Sequence, residues 1–398
     1  MASMLEESKI REELDEIARK VQKKVSENQT YRDQLPVKVS QSIDDWRFGT
    51  GVTNILLTSA WYKHLHPKQD ISICFISMDK GYNCRIIDEK FTVPLVAKFD
   101  IYHQFCSRNG GFQASRMIEN QKKIGPLTRE KFEGNPRAWD KNTFFDIMES
   151  INENHEIAKI IFCYLLEYGF TIKNRITEER NKLNDSSYNK KDKLTAFKLL
   201  TEEILKIRDP QFHKILVAAF MLELHEPRGL IISGLKGSRT GADARDKSPG
   251  DLWTMKQRKN FWKKIFNFLW PKWKPEEEII EGIEVKDFTH TFGFQHISAA
   301  KDRTLNNFEI KLYTLVTTGK KAISPEIKDE EWITACEKLY SETGTKIRVV
   351  TFTDLLEQNW FLDFDSIIKR VSELLSGGDV PDIKSGTIEI WLEILNKQ

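Results

Sequence analysis

The feature that most constrains this 398-residue chain is a change of texture after Gly229. Upstream, apolar residues recur at helical spacing. Ile10, Leu14, Ile17, Val21 and Val25 fall three and four apart on one stripe, which predicts an amphipathic helix over Leu5 to Val25, either packed on its own domain or pairing with a second copy. Ile157 to Tyr168 has a buried-helix pattern, Asn181 to Lys193 is a polar, charged loop, and Leu194 to Leu224 is helical with an interruption at Pro210. Short apolar runs such as Val52 to Trp61 and Ile71 to Ile76 lie between Gly and Pro punctuation. Downstream of Gly229 the chain turns to glycines and then to short strands alternating with helices through Phe352. That alternation predicts an α/β (α+β) fold, a mixed central sheet flanked by helices. The expected organisation is a mainly helical N-terminal lobe over residues 1–180, for recognition or dimerisation, and a catalytic domain over 181–398.

Composition excludes several classes. With 40% hydrophobic and 30% charged residues the chain has the makeup of a globular protein rather than a disordered or fibrous one. The N-terminus lacks a hydrophobic signal core, and no uncharged apolar run approaches the ~18 residues that a membrane-spanning helix needs. Five cysteines without CxxC pairs fit reduced thiols, so a cytoplasmic location is expected. The 61 basic against 59 acidic residues leave a net charge of +2, so a polyanionic partner would have to meet a local patch.

Two short segments carry the chemistry. Ser248-Pro249-Gly250-Asp251-Leu252-Trp253-Thr254-Met255 reads as a turn feeding a strand, with Asp251 at the strand's start. Gly282-Ile283-Glu284-Val285-Lys286-Asp287-Phe288 reads as a second strand, with 32 residues (252 to 283) between Asp251 and Glu284. Side chains alternate across a strand, so Glu284 and Lys286 share a face while Val285 points to the core. If the strands pair, Asp251, Glu284 and Lys286 converge. Two carboxylates on adjacent strands form a hard oxygen site suited to Mg²⁺, and a neighbouring lysine suits the orientation of a water or the stabilisation of developing negative charge. The Glu-x-Lys triplet recurs at Glu309-Ile310-Lys311 and Glu326-Ile327-Lys328. The last follows Pro325 in a solvated stretch, whereas the first begins a strand-like run and, with Asp302, is a rival site.

On these residues the chain resembles the SacI-like type II restriction endonucleases of the PD-(D/E)XK nuclease superfamily. The likeness rests on Asp246-Lys247-Ser248-Pro249-Gly250-Asp251 and Ile283-Glu284-Val285-Lys286, followed by Gln295 in the next helix. In the N-terminal lobe, Tyr82 to Lys98 and Ser107-Arg108-Asn109-Gly110-Gly111 look like the family's Arg-containing, Pro-punctuated segment. The resemblance implies that Asp251 and Glu284 bind Mg²⁺, that Lys286 is the catalytic lysine and that Gln295 is an active-site helix residue. It further implies sequence-specific hydrolysis of double-stranded DNA by a homodimer, with a companion DNA methyltransferase in the same system. Modification-dependent or nicking cleavage, and DNA binding without chemistry, are the alternatives.

Basic segments suggest where DNA would be held. An insertion at about 256–275 interleaves Lys259, Lys263 and other cations with Phe261, Trp262, Trp270 and Trp273, a composition that fits phosphate contacts or a solvated amphipathic helix. Arg239, Arg245 and Lys247 flank a Gly-rich loop before Asp251, and Arg108 beside Gly110-Gly111 is a candidate for reading guanine edges. No GxxxxGK[ST] loop, HExxH pair or GxSxG elbow occurs, so neither an ATP-driven motor, a zinc protease nor a serine hydrolase is supported.

Overall fold

The computed structural model describes residues 4–44, 50–102, 105–107, 110–134, 136, 139–186, 189–234, 251–256, 278–287, 289–306, 310–377, 383–384 and 386–396. Contacts divide the chain into two compact units, Met1–Glu178 and Glu179–Gln398.

Every regular element of the N-terminal unit among its described residues is a helix. Its first helix, α1 (Met4–Ser26), buries Leu14, Ala18 and Val21 with Ile10, Ile17 and Val25 packed beside them, as the stripe requires. Helix α2 (Thr50–Leu65) is buried along nearly its whole length, and its Ile55, Leu56, Leu57 and Trp61 lie at the centre of the core. Helix α3 (Lys141–Glu153) starts at Asp140, whose carboxylate accepts the Thr143 N–H and so satisfies one of the donors a helix N-terminus leaves open. Helix α4 spans His155–Asp185. It runs past the expected start of the polar loop at Asn181, because Glu178, Glu179, Arg180, Lys182 and Leu183 are good helix formers whatever their polarity. The apolar run Ile71 to Ile76 forms turns, not a strand, with Ile71 and Cys74 buried and Ile76 exposed.

The C-terminal unit is built on a five-stranded sheet in the order β1-β2-β3-β4-β5, comprising Leu230–Ser233, Leu252–Lys256, Glu278–Lys286, Leu312–Thr317 and Lys346–Thr351. The first three strands are antiparallel and the last three parallel. Each parallel step needs a crossover. Helices α7 (Phe294–Asn306) and α8 (Asp329–Thr343) supply the two, numbered after α5 (Lys193–Thr201) and α6 (Pro210–His225) upstream. The fold is therefore α/β with a mixed central sheet.

Strand alternation divides two cores. Leu252, Ile283, Val316 and Val350 face α6 and the helix α9 (Phe364–Ser376), where Phe212, Leu216, Phe220, Ile367 and Val371 are fully buried. Tyr313 and Leu315 face the other way, onto Phe292, Ile297, Ala300, Trp332 and Leu339. Sealing both faces fixes the register, since a one-residue slip of β3 would exchange Ile283 for Glu284 against α6. Among the described residues no helix is long and apolar enough to cross a membrane.

Candidate active site

The antiparallel pairing of β2 with β3 matches Leu252 to Ile283. Asp251, one residue before Leu252, therefore comes opposite Glu284, one residue after Ile283. The contact is direct: the Asp251 Oδ2 accepts the Val285 N–H at 2.9 Å. Lys286, two residues beyond Glu284 on the same face, donates from Nζ to Glu284 Oε1 at 3.0 Å, and the Tyr313 hydroxyl approaches Glu284 Oε2 at 3.5 Å from β4. The Glu284 side chain is 14% exposed and that of Lys286 31%, so both reach solvent from a mostly covered position. The three expected residues are thus held together by strand pairing.

Electrostatics disfavour ionisation of Asp251 even with two lysines nearby. Burial pushes the Asp251 carboxyl above its ordinary value, and the facing Glu284 pushes in the same direction. Lys214, the Val285 N–H and Lys286 pull it back without reversing the shift. Two close carboxylates that disfavour joint ionisation are a fit for a divalent cation, whose charge would remove the conflict. Asp251 Oδ1 has no hydrogen bond among the described residues, and would join Glu284 in holding the ion. Among the described residues no group of three or more His, Cys, Asp and Glu is placed to hold a metal. Two carboxylates suffice for Mg²⁺, which keeps several of its waters.

Lys214 is a member that sequence reasoning missed. It sits on α6 in the run Phe212-His213-Lys214-Ile215-Leu216 and is only 7% exposed, a burial that a lysine rarely accepts without a partner. Its signal was a single cation inside an apolar helix, but helical periodicity alone does not say which strand end it approaches.

Gln295 lies in the first turn of α7, exposed, with its side-chain amide folded toward Gly293; it makes no hydrogen bond to Asp251, Glu284 or Lys286 among the described residues. The rival triplet is separated from this centre. Leu312 pairs with Glu281 and Thr317 with Lys286, so the exposed Lys311 stands at the opposite edge of the sheet from Lys286. Glu309 is outside the described residues. Arg108, Arg239, Arg245, Lys247, Lys259 and Lys263, and with them nearly all of the basic aromatic insertion, also lie outside the described residues.

The flanks of Arg108 are described. The Asn54 carboxamide accepts the Ser107 N–H and donates to the Ser107 carbonyl. Asp88, in a π-helical turn, accepts the Gly111 N–H at 2.5 Å and the Asn54 amide at 3.3 Å. Burial pushes the Asp88 carboxyl up to about 6 despite these donors. A second buried carboxylate in the C-terminal unit, Glu281, lies on the α6 face of β3, where Thr314 donates to it and His225 Nε2 is 3.7 Å away. Burial raises Glu281, and burial with Arg228 lowers His225 to about 4, so this pair faces away from the Asp251 cluster and favours its uncharged forms.

No protein-family model matches this chain, and no curated protein matches it. The site therefore has to be interpreted from its own geometry.

Proposed function

We propose that the chain is a Mg²⁺-dependent endonuclease that hydrolyses phosphodiester bonds in double-stranded DNA at specific sequences, as a type II restriction enzyme does. The observation that carries this reading is the convergence of Asp251, Glu284 and Lys286 on paired strands, with two carboxylates whose mutual repulsion calls for a cation. When bound, Mg²⁺ would acidify a water and offset charge on the phosphate. The chain does the rest. Asp251, fixed through Oδ2 by the Val285 N–H, presents Oδ1. Glu284 is oriented by Lys286 and Tyr313. Lys286 Nζ, once drawn off Glu284, is placed to hold the attacking water by a hydrogen bond and to stabilise the extra negative charge as the new P–O bond forms and the ester P–O bond breaks. The water's proton passes to a carboxylate oxygen not engaged with the cation or to solvent, and the departing ester oxygen takes up a proton from solvent.

Cutting two antiparallel strands is most simply done by two-fold-related sites, so a homodimer is part of the proposal, as are a cytoplasmic setting and a companion methyltransferase to protect host DNA. The test is to incubate purified protein with unmodified phage-length DNA, with and without Mg²⁺, and resolve the products on a gel. Discrete Mg²⁺-dependent bands are expected. Intact DNA would contradict the reading; cleavage confined to modified DNA, or nicks alone, would shift it to a modification-dependent or nicking enzyme, and binding without cleavage to a silent DNA-binding protein.

A further inference from the structure

Two loops leave the sheet at the edge where Lys286 stands. Strands β3 and β4 are parallel and Lys286 pairs with Thr317, so the described residues 287, 289–293 and 318–324 follow from the same end. They are tied to each other along their length. The Thr318 N–H donates to the Lys286 carbonyl at 3.2 Å, and the Thr317 hydroxyl lies 3.1 Å from the carbonyls of both Asp287 and His290. Further out, the Phe292 N–H donates to the Ala322 carbonyl at 2.8 Å and the Ser324 N–H to the Phe292 carbonyl at 3.0 Å, with Phe292 fully buried beneath. The turn between these ties is closed by the Gly319 N–H on the Thr317 hydroxyl at 3.0 Å. The result is a braced ledge beside Glu284 and Lys286.

Lys320 and Lys321 form the tip of that ledge. Both are exposed, and neither makes a hydrogen bond or ion pair among the described residues. On the partner loop, Asp287 is turned inward, accepting from Thr289 and bonded to His290 Nδ1 at 2.6 Å, with 15% of its side chain exposed. Glu326 comes only after the pairing ends at Ser324. Two adjacent exposed cations on a braced loop, with the Asp287 carboxylate of the partner loop engaged by Thr289 and His290, suit a polyanion that also occupies the Glu284–Lys286 edge. On the expectation that this edge is a DNA-cleaving centre, we infer that Lys320 and Lys321 hold the phosphodiester backbone of the DNA flanking the scissile phosphate, a contact that sets register and carries no base preference.

Phosphate contacts have a quantitative signature, because each one neutralised releases counterions and steepens the fall of affinity with salt by about 0.9 in log–log slope. The experiment measures Ca²⁺-supported binding by fluorescence anisotropy, across a salt series, to a duplex carrying a mapped cleavage site and to a shuffled duplex. Wild type is compared with Lys320→Ala/Lys321→Ala, with Lys320→Arg/Lys321→Arg, and with Lys338→Ala/Lys346→Ala. The last pair removes equal charge at the far edge, where β5 begins and to which α8 returns. The expected result is a slope shallower by about 1.8 for the Ala pair, an equal affinity loss on both duplexes, recovery in the Arg pair and no change in the far-edge control. An unchanged slope, or a loss confined to the cleavable duplex, would overturn the ledge while leaving the nuclease reading intact if wild type still cuts. Wild type that neither binds nor cuts DNA would remove both.

Discussion

Ionising Asp251 is unfavourable in the metal-free protein, since the carboxylate is buried and Glu284 faces it. A carboxyl raised in the folded state contributes stability that is complete below its ordinary value near 3.8 and is lost as the pH rises through the folded value. Once the pH is high enough for the unfolded chain's Asp251 to ionise, the raised carboxyl therefore weakens the apo fold, and Asp251→Asn is expected to raise the melting temperature of the metal-free protein, by about 2–4 °C for each kcal/mol relieved. Mg²⁺ would reverse the order, stabilising wild type by mass action and the variant little. Differential scanning calorimetry at neutral pH checks both; a lower apo melting temperature for Asp251→Asn, or equal Mg²⁺ protection of the two proteins, would contradict the electrostatic account. At this scale Glu284 and Lys286 were legible, because two residues of separation on a strand means one face. Lys214 was not, because its role depends on where α6 crosses the sheet, and helical spacing carries no such long-range information.

Among the elements, short strands rich in apolar and β-branched residues were the readable ones. The sequence suggests strands at Leu312 to Thr317 and Ile347 to Phe352 and helices at Phe294 to Lys301 and Asp329 to Ser341; the first strand has those bounds, and Lys346–Thr351, Phe294–Asn306 and Asp329–Thr343 differ by one to five terminal residues. The polar loop expected from Asn181 is the misreading, a polar run judged without the helix it continues. The charged end of α4 looks like a loop yet keeps helix-forming residues. In the N-terminal unit the loop around Gly110 and Gly111 rests on close approach rather than propensity: a Cβ on Gly111 would come within 2.6 Å of the Gly51 carbonyl oxygen and 2.5 Å of Ile55 Cγ1. Gly111→Ala is thus expected to cost about 1–3 kcal/mol, read as a lower urea midpoint for the transition that includes α2. An unchanged midpoint would show that the α2 contact has room to give.

For the whole molecule, fold class was visible because the switch from helical to strand–helix texture spans more than a hundred residues and every parallel step demands its crossover helix. The basic segments proposed for DNA contact lie outside the described residues, while Lys320 and Lys321 went unnoticed in a sequence where 30% of residues are charged. Only their place on a braced loop next to Lys286 distinguishes them. The central claim is that hydrolysis takes place at Asp251, Glu284 and Lys286, and the direct test is single-turnover cleavage of DNA in Mg²⁺ by wild type, Glu284→Gln and Lys311→Ala. The account predicts that Glu284→Gln loses at least about a thousandfold in rate, the size of effect seen when a group stabilising the transition state is removed, and that Lys311→Ala cuts as wild type does. Cleavage by Glu284→Gln within tenfold of wild type, or loss of cleavage in Lys311→Ala alone, would place the chemistry elsewhere in the chain.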